Sequence, residues 1–247
     1  MSIEKKSKRL ERREKLRKDA MKNRLAVIGL ITAGALLVVL AVIWPQFTTI
    51  DDLIVPEAKT LPNPDGLSLG DPNAPAVIEI FEDFQCPACQ YFSENIEPLI
   101  IQYLVETGKA RLVYRHYPFI DGPGASNGGE SDQAANASMC ANEQGKFWEM
   151  KAVIFANWNG ENQGNLSNRR LTAMAEAIHL DMNAFNACFD ANKYKADIQA
   201  DFDRGEELGV SGTPSAFVNG VQVGQPGKVP TFQEIAVAVD AIAGTGE

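Results

Sequence analysis

The chain has 247 residues, 45% of them hydrophobic and 22% charged, with a net charge of −9. That length and apolar content support a sizeable buried core and exclude a disordered chain, and there is no internal repeat or low-complexity tract. The charge is split: residues 1–24 hold eleven Lys/Arg against four Asp/Glu, a net of +7, which leaves −16 for the remainder.

In chain order, the first feature is LAVIGLITAGALLVVLAVIW, Leu25 to Trp44, 20 residues without a charge and with Thr32 as the one polar side chain. At about 1.5 Å per residue a helix of this length spans roughly 30 Å, the thickness of a bilayer's hydrocarbon core. A buried core helix this long would keep a polar face. A cleavable signal would carry a shorter apolar region and a small-residue cleavage site, whereas Trp44, Pro45 and Gln46 stand here. The expectation is an uncleaved, single-pass cell-membrane anchor over residues 25–44. The basic segment 1–24 is then cytoplasmic, rather than a nucleic-acid arm, and the acidic remainder extracytoplasmic. Residues 45–68 are read as a Pro-rich extracytoplasmic linker, with Pro45, Pro56, Pro62 and Pro64 opposing periodic structure.

AVIEIFEDF, Ala76–Phe84, is short, apolar and partly alternating, and predicts a strand. Phe92, Ile96, Leu99, Ile100, Tyr103 and Leu104 recur at three- and four-residue spacing, which predicts a helix kinked at Pro98 and closed by Gly108. ARLVYRHYPF, Ala110–Phe119, predicts a second strand, and a glycine-rich loop follows over residues 120–130. From Ser131 to about Asp203 the spacing of Met139, Phe147, Met150, Ile154, Met174, Ile178 and Phe185 is helical. SAFVNGVQVG, Ser215–Gly224, predicts a hairpin turning on Asn219-Gly220, and a last helix runs from an N-cap at Thr231 to about Ala243. This is the element order of an α/β sheet carrying a helical insertion.

The chemistry centres on FEDFQCPACQYF, residues 81–92. Zinc would need two more ligands in compact spacing, which Cys140, Cys188, His116 and His179 do not supply, so no metal is expected. A purely structural Cys86–Cys89 bridge would close too short a loop to remove much entropy from the unfolded chain. Redox chemistry explains the spacing better. Pro87 suits the first position of a helix, where its missing N–H costs nothing, so the helix should begin at Cys86-Pro87. Cys86 then lies among unpaired N–H groups at the positive end of the helix dipole, which stabilises a thiolate and makes it the nucleophile and the better leaving group. Cys89 falls one turn on along the same face, within bonding reach. No phosphate loop, Ser-His-Asp triad or nucleotide fingerprint accompanies the pair, and no organic cofactor is expected.

LGDPNAPAVIEIFEDFQCPACQ, VYRHYPF, CANEQGKFWEM and GVSGTPSAFVNG follow one another as in the DsbA-like thiol-disulfide oxidoreductases of the thioredoxin superfamily. The chain resembles that family from about Leu69 to Ala243, and its tethered arrangement is similar to that of single-span members in bacteria lacking a conventional periplasm. The resemblance implies a thioredoxin-like fold over residues 69–247, with a helical insertion at about 125–203, preceded by the transmembrane helix.

It also implies roles. Cys86 looks like the solvent-facing cysteine that forms a mixed disulfide with substrate, and Cys89 like its buried resolving partner. Thr213 and Pro214 match the threonine and cis-proline beside which an extended substrate peptide pairs. Cys140 and Cys188, in two helices of the insertion, match a second, structural disulfide that some members carry, worth roughly 4 kcal/mol in the chain-entropy model. Two free buried cysteines are the alternative. Many members have a buried acid six residues before the first cysteine. That position is Ile80 here, and Glu82, on the same strand face, is the candidate proton acceptor for Cys89, with Glu79 and Asp83 as competitors. His116 is read as structural. The Pro87-Ala88 dipeptide lacks the histidine that follows the proline in the best-known members, so one source of thiolate stabilisation is missing. The implied activity is a dithiol oxidase that acts on reduced exported proteins and is reoxidised by a DsbB- or VKOR-like membrane partner, without nucleic acid. A disulfide reductase or isomerase with the same site, and a non-catalytic membrane-tethered peptide-binding adaptor, are the alternatives.

Overall fold

The computed structural model describes residues 2–43, 50, 52–122 and 128–243. It divides into two compact units, Met1–Asp51 and Asp52–Glu247.

The first unit is one helix, α1, Ser2–Ile43. The basic segment ahead of Leu25 is therefore helical as well, in keeping with its Lys, Arg, Glu and Leu content and with the absence of Gly and Pro before Gly29. Within α1, Arg13–Val42 is long and apolar enough to cross a membrane. Trp44, at which the span is expected to end, lies outside the described residues, as do Pro45 and Gln46.

The second unit is built on a five-stranded sheet: β1 (Ser68–Leu69), β2 (Ala76–Glu82), β3 (Ala110–His116), β4 (Ser215–Val218) and β5 (Val221–Val223), in the spatial order β1-β3-β2-β4-β5. β2 and β3 are parallel, with Ile78 opposite Leu112 and Glu82 opposite His116. β4 runs antiparallel to β2, and the β4–β5 hairpin turns on Asn219 and Gly220, both at positive φ. β2 is covered on both faces, which is why AVIEIFE reads as an almost continuous apolar run. It stops at Glu82, earlier than expected, because Asp83 begins a turn: its side chain accepts the Gln85 N–H at 2.8 Å and its carbonyl the Cys86 N–H at 3.0 Å.

One face of the sheet is covered by α8, Lys195–Leu208. There Phe81 meets Phe217 and Tyr117 edge-on, and Tyr117 stacks on Phe202 with ring centroids 4.5 Å apart. A Cβ at Gly205 would lie 2.7 Å from the Tyr117 ring, so glycine is what lets α8 approach this closely. On the other face lie α2 (Pro87–Asn95), α3 (Glu97–Ile100) and α9 (Phe232–Ala243). Pro98 has no N–H to offer the Glu94 carbonyl, so the predicted single helix is broken between α2 and α3, and the chain continues as a π-helical turn over Ile101–Val105. Thr231 and Glu234 cap α9 reciprocally: the Thr231 N–H donates to Glu234 Oε2 at 2.8 Å and the Glu234 N–H to Thr231 Oγ1 at 3.3 Å.

Between β3 and α8 stands the helical insertion: α4 (Glu130–Asn142), α5 (Phe147–Ala156), α6 (Asn168–Ala177) and α7 (Met182–Asp190), with α4 packed on the other three. A disulfide joins Cys140 of α4 to Cys188 of α7, with 5.8 Å between their Cα atoms. The segment read as a linker up to residue 68 differs from a free tether. From Asp52 on it is docked: Asn157 bonds both backbone groups of Ile54, at 2.9 and 2.8 Å, and Arg170 pairs with Asp52 at 2.9 Å. Leu53 and Leu61 pack against the core, and the Gly66 carbonyl takes the Trp148 Nε1–H at 3.1 Å. Side chains of the insertion thus satisfy backbone groups at Ile54 and Gly66, ahead of β1.

Candidate active site

β2 delivers the chain through the Asp83-Phe84-Gln85 turn into α2. Cys86 is the N-cap of that helix (φ −75°, ψ 122°) and Pro87 opens it. The N–H groups of Cys89 and Gln90 return to the Cys86 carbonyl at 3.1 Å, which closes the first turn. Cys86 and Cys89 are both free thiols, 6% and 0% exposed.

Their surroundings pull the two thiols apart. A hydrogen bond from the Cys89 thiol lowers the Cys86 pKa most, burial opposes it, and Thr213 and the N–H groups of Cys89 and Ala88 bring it to about 6. Burial drives the Cys89 thiol well above its ordinary value, and its bond to Cys86 and the charge of Glu82 push in the same direction. At neutral pH the pair is therefore one thiolate beside one thiol. The Thr213–Pro214 peptide bond is cis, and the Thr213 carbonyl lies 3.3 Å from the Cys86 sulfur, which donates to it only while protonated.

Behind Cys89 lies a buried charge cluster. Glu82 is 1% exposed, and its Oε2 is 3.4 Å from the ammonium of Lys151, a residue of α5. Lys151 is also buried. It pairs with Glu97 of α3, donates to Ser93 Oγ at 3.0 Å and sits over the rings of Tyr114, Trp148 and Phe155. Burial raises the Glu82 carboxyl; Lys151 offsets part of this and the Glu97 charge adds to it, giving about 8. Burial lowers the Lys151 pKa, and the two carboxylates more than reverse that, so the lysine stays charged. With Glu97 holding the ammonium, Glu82 keeps its proton at neutral pH.

The competitors of Glu82 are engaged elsewhere. Glu79 pairs with Arg115 at 3.0 Å and Arg204 at 2.7 Å, and its pKa is lowered in spite of burial. Asp83 accepts from the Phe119 and Ile120 N–H groups at 3.0 Å and from Ser131 Oγ at 2.6 Å, and burial raises it to about 7. Ile80 is core. His116 is packed between Phe84, Tyr114 and Phe147, where burial lowers its pKa to about 3 and keeps it neutral. Among the described residues no group of three His, Cys, Asp or Glu is arranged to hold a metal.

Cys86, Cys89, Thr213, Pro214 and Glu82 thus gather at one place, from the start of α2, the loop before β4 and the end of β2, while Cys140 and Cys188 lie on α4 and α7. Lys151 and Glu97 are missing from the sequence reading. Lys151 does leave a trace: it is four residues after Phe147 and three before Ile154, a charge inside an apolar helical stripe. Glu97 leaves none.

Residues 62–238 match the family model described as thioredoxin. The chain belongs to the thioredoxin family. Among its thioredoxin-family relatives, the "Probable disulfide bond formation protein D" of Bacillus cereus is 26% identical over 222 residues, covering 88% of this chain and 96% of that protein. The crystal structure of Wolbachia pipientis alpha-DsbA1 superimposes with a TM-score of 0.60 at 26% identity, over 75% of this chain and 94% of that one. BdbD from Bacillus subtilis (oxidised), at 19% identity and a TM-score of 0.62, covers 75% of this chain and 98% of its own and shares the fold. This member of the thioredoxin family has the DsbA-like fold with its helical insertion, and it is a thiol-disulfide oxidoreductase.

Proposed function

We propose that the protein is a membrane-anchored dithiol oxidase that introduces disulfides into exported proteins through Cys86 and Cys89. The observation that carries this reading is the opposed poise of the two thiols, Cys86 drawn down to about 6 and Cys89 pushed up. A pair whose reduced form is stabilised in this way gives up its disulfide readily and is oxidising. A substrate thiolate attacks Cys86 Sγ; the new S–S bond forms as the Cys86–Cys89 bond breaks, and its electron pair leaves on Cys89 Sγ. Glu82, protonated at rest, supplies a proton to that sulfur, and the carboxylate left behind faces the Lys151 ammonium 3.4 Å away. A second substrate thiolate then attacks the substrate sulfur and releases Cys86 as a thiolate, so two electrons have passed to the enzyme. In the reduced protein that carboxylate regains a proton from solvent at neutral pH, and on reoxidation, when Cys89 must attack in turn, the ionised fraction of Glu82 takes the Cys89 proton.

The loop at Thr213 and Pro214 is the seat for an extended substrate peptide, its Thr213 carbonyl 3.3 Å from the reactive sulfur. The apolar stretch of α1 anchors the chain as a single span, with its basic flank cytoplasmic and the catalytic unit outside a prokaryotic cell. A quinone-linked membrane protein of the DsbB or VKOR type reoxidises the pair. The test is the Cys86/Cys89 potential of the full chain in detergent, equilibrated with glutathione buffers. A value above about −200 mV supports the oxidase; one near or below about −270 mV sinks it in favour of a reductase.

A further inference from the structure

The turn that presents Cys86 is gripped from outside its own helix. Gln85, the residue before it, is fully buried, and every polar group it has is engaged. Its N–H donates to Asp83 Oδ1 at 2.8 Å and its carbonyl accepts the Trp158 Nε1–H at 2.7 Å. Its side-chain Nε2 donates to Asp121 Oδ1 at 2.7 Å and to Ser131 Oγ at 2.9 Å, and its Oε1 accepts the Asn162 N–H at 2.6 Å. Ser131 Oγ in turn donates to Asp83 Oδ1 at 2.6 Å. Two pieces of the helical insertion, the first turn of α4 and the loop after α5, therefore converge on one side chain.

A satisfied buried amide is ordinarily a fixture of the core. Its place in the chain gives this one a further consequence. The peptide plane that joins Gln85 to Cys86 is held at both ends, its C=O by Trp158 and its N–H by the Asp83 carbonyl at 3.0 Å. That plane sets the Cys86 φ, and the N-cap dihedrals set where the sulfur stands relative to the N–H groups of Ala88 and Cys89, which favour its thiolate without closing a side-chain cap hydrogen bond. The attraction of helix N–H groups for a negative charge falls off within the first turn, so a rotation of the plane that moves the sulfur away loosens their hold on it.

We propose that Gln85, Ser131 and Trp158 are positioning residues for the exchange reaction, through which the helical insertion sets how firmly the start of α2 holds the Cys86 thiolate. This rests on the reading of Cys86 as the reacting sulfur. These hydrogen bonds run among the three and to Asp83, Asp121 and Asn162, not to a sulfur, so they act through the peptide plane.

The test uses the full chain in detergent, reduced at Cys86 and Cys89, with the rate of iodoacetamide alkylation of the Cys86 peptide followed against pH by mass spectrometry. Trp158→Phe removes the indole N–H at a half-buried site and leaves a smaller aromatic ring, Ser131→Ala removes the bridging hydroxyl, and Ser131→Thr restores it. The alkylation midpoint should rise by about one pH unit, a tenfold loss of thiolate stability, in Trp158→Phe and Ser131→Ala. Ser131→Thr should return it towards the wild-type value. The glutathione equilibrium should move about tenfold towards the enzyme disulfide in the same two variants. An unshifted midpoint in folded Trp158→Phe would leave these residues as core fixtures and overturn the proposal, and that variant decides alone should Ser131→Ala not fold. A wild-type midpoint near about 8.5 would instead sink the reading of Cys86 itself, before any variant is made.

Discussion

Two pairs of cysteines occupy one compact unit and differ in almost everything except burial. Cys86 and Cys89 flank two residues at the mouth of a helix, whereas Cys140 and Cys188 are 48 residues apart and tie α4 to α7. All four are buried, Cys140 at 1% and Cys188 at 4% exposure, so inaccessibility does not separate a reactive pair from a structural one. What separates them is what faces the sulfur. Cys86 has helix N–H groups, a carbonyl and a second thiol around it, and an acid with a raised pKa behind its partner. Cys140 has an apolar core and one long contact, 3.9 Å, to Asn136 Oδ1.

The sharpest way to break this comparison is to exchange the roles. Cys86→Ser should abolish disulfide transfer to a dithiol peptide, since no other free thiol among the described residues is held as a thiolate. Cys140→Ser with Cys188→Ser should leave the rate of transfer close to wild type and cut the free energy of unfolding by about 4 kcal/mol, the chain-entropy value for a loop of this length. Peptide oxidation and urea unfolding, measured on the same samples, check both. A double variant that is stable but inactive would mean the second pair takes part in exchange, and the contrast would fall.

Lys151→Met tests the charge cluster that only the first pair possesses. It removes the ammonium between Glu82 and Glu97 and leaves Glu97 buried without its partner. Breaking a buried ion pair from one side is costly, by about 3 kcal/mol. The loss should be larger at pH 8, where Glu82 begins to ionise beside Lys151, than at pH 6, and urea unfolding at the two pH values compares the conditions. An equal loss at both would show that Lys151 contributes packing rather than charge.

The two pairs were also unequally legible. FQCPACQ gives the strand end, the helix start and the Cys86 N-cap, because Pro87 and the apolar periods on either side act locally. The Cys140–Cys188 partnership joins residues 48 apart, and only family resemblance suggested it. The same limit hid Lys151, which comes from α5 to meet β2 and α3, and Gln85, whose side-chain partners lie 36 to 77 residues away. Among Glu79, Glu82 and Asp83, only two-residue alternation along the strand favours Glu82. Their fates differ through partners from β3 and α8, α5 and α3, and α4. The docking of Asp52–Leu61 was missed for a related reason: prolines announce an extended chain, and Asn157 and Arg170, which fasten it, carry no signal of doing so.

The smallest expected effect is the most diagnostic of how the reactive pair is poised. In the reduced protein Glu82 and Cys86 titrate in opposite senses. The Glu82 pKa is raised to about 8, so the native state holds a proton that the unfolded chain has lost, and stability falls as pH rises towards 8. The Cys86 pKa is lowered to about 6, so between there and the unfolded thiol's value, near 8.5, the unfolded chain holds the extra proton and stability rises. Between pH 7 and 8 the two contributions are about 1 kcal/mol each and oppose one another. Asp83, at about 7, completes most of its loss below this window. Wild-type stability should therefore be nearly level from pH 7 to 8. Glu82→Gln leaves the Cys86 contribution alone, and stability should climb by about 1 kcal/mol across that unit; Cys86→Ser leaves Glu82 alone, and it should fall by a similar amount. Urea unfolding under reducing conditions at pH 7 and 8 measures both slopes. Level curves in all three proteins would mean that neither group is perturbed as its burial and hydrogen bonds require.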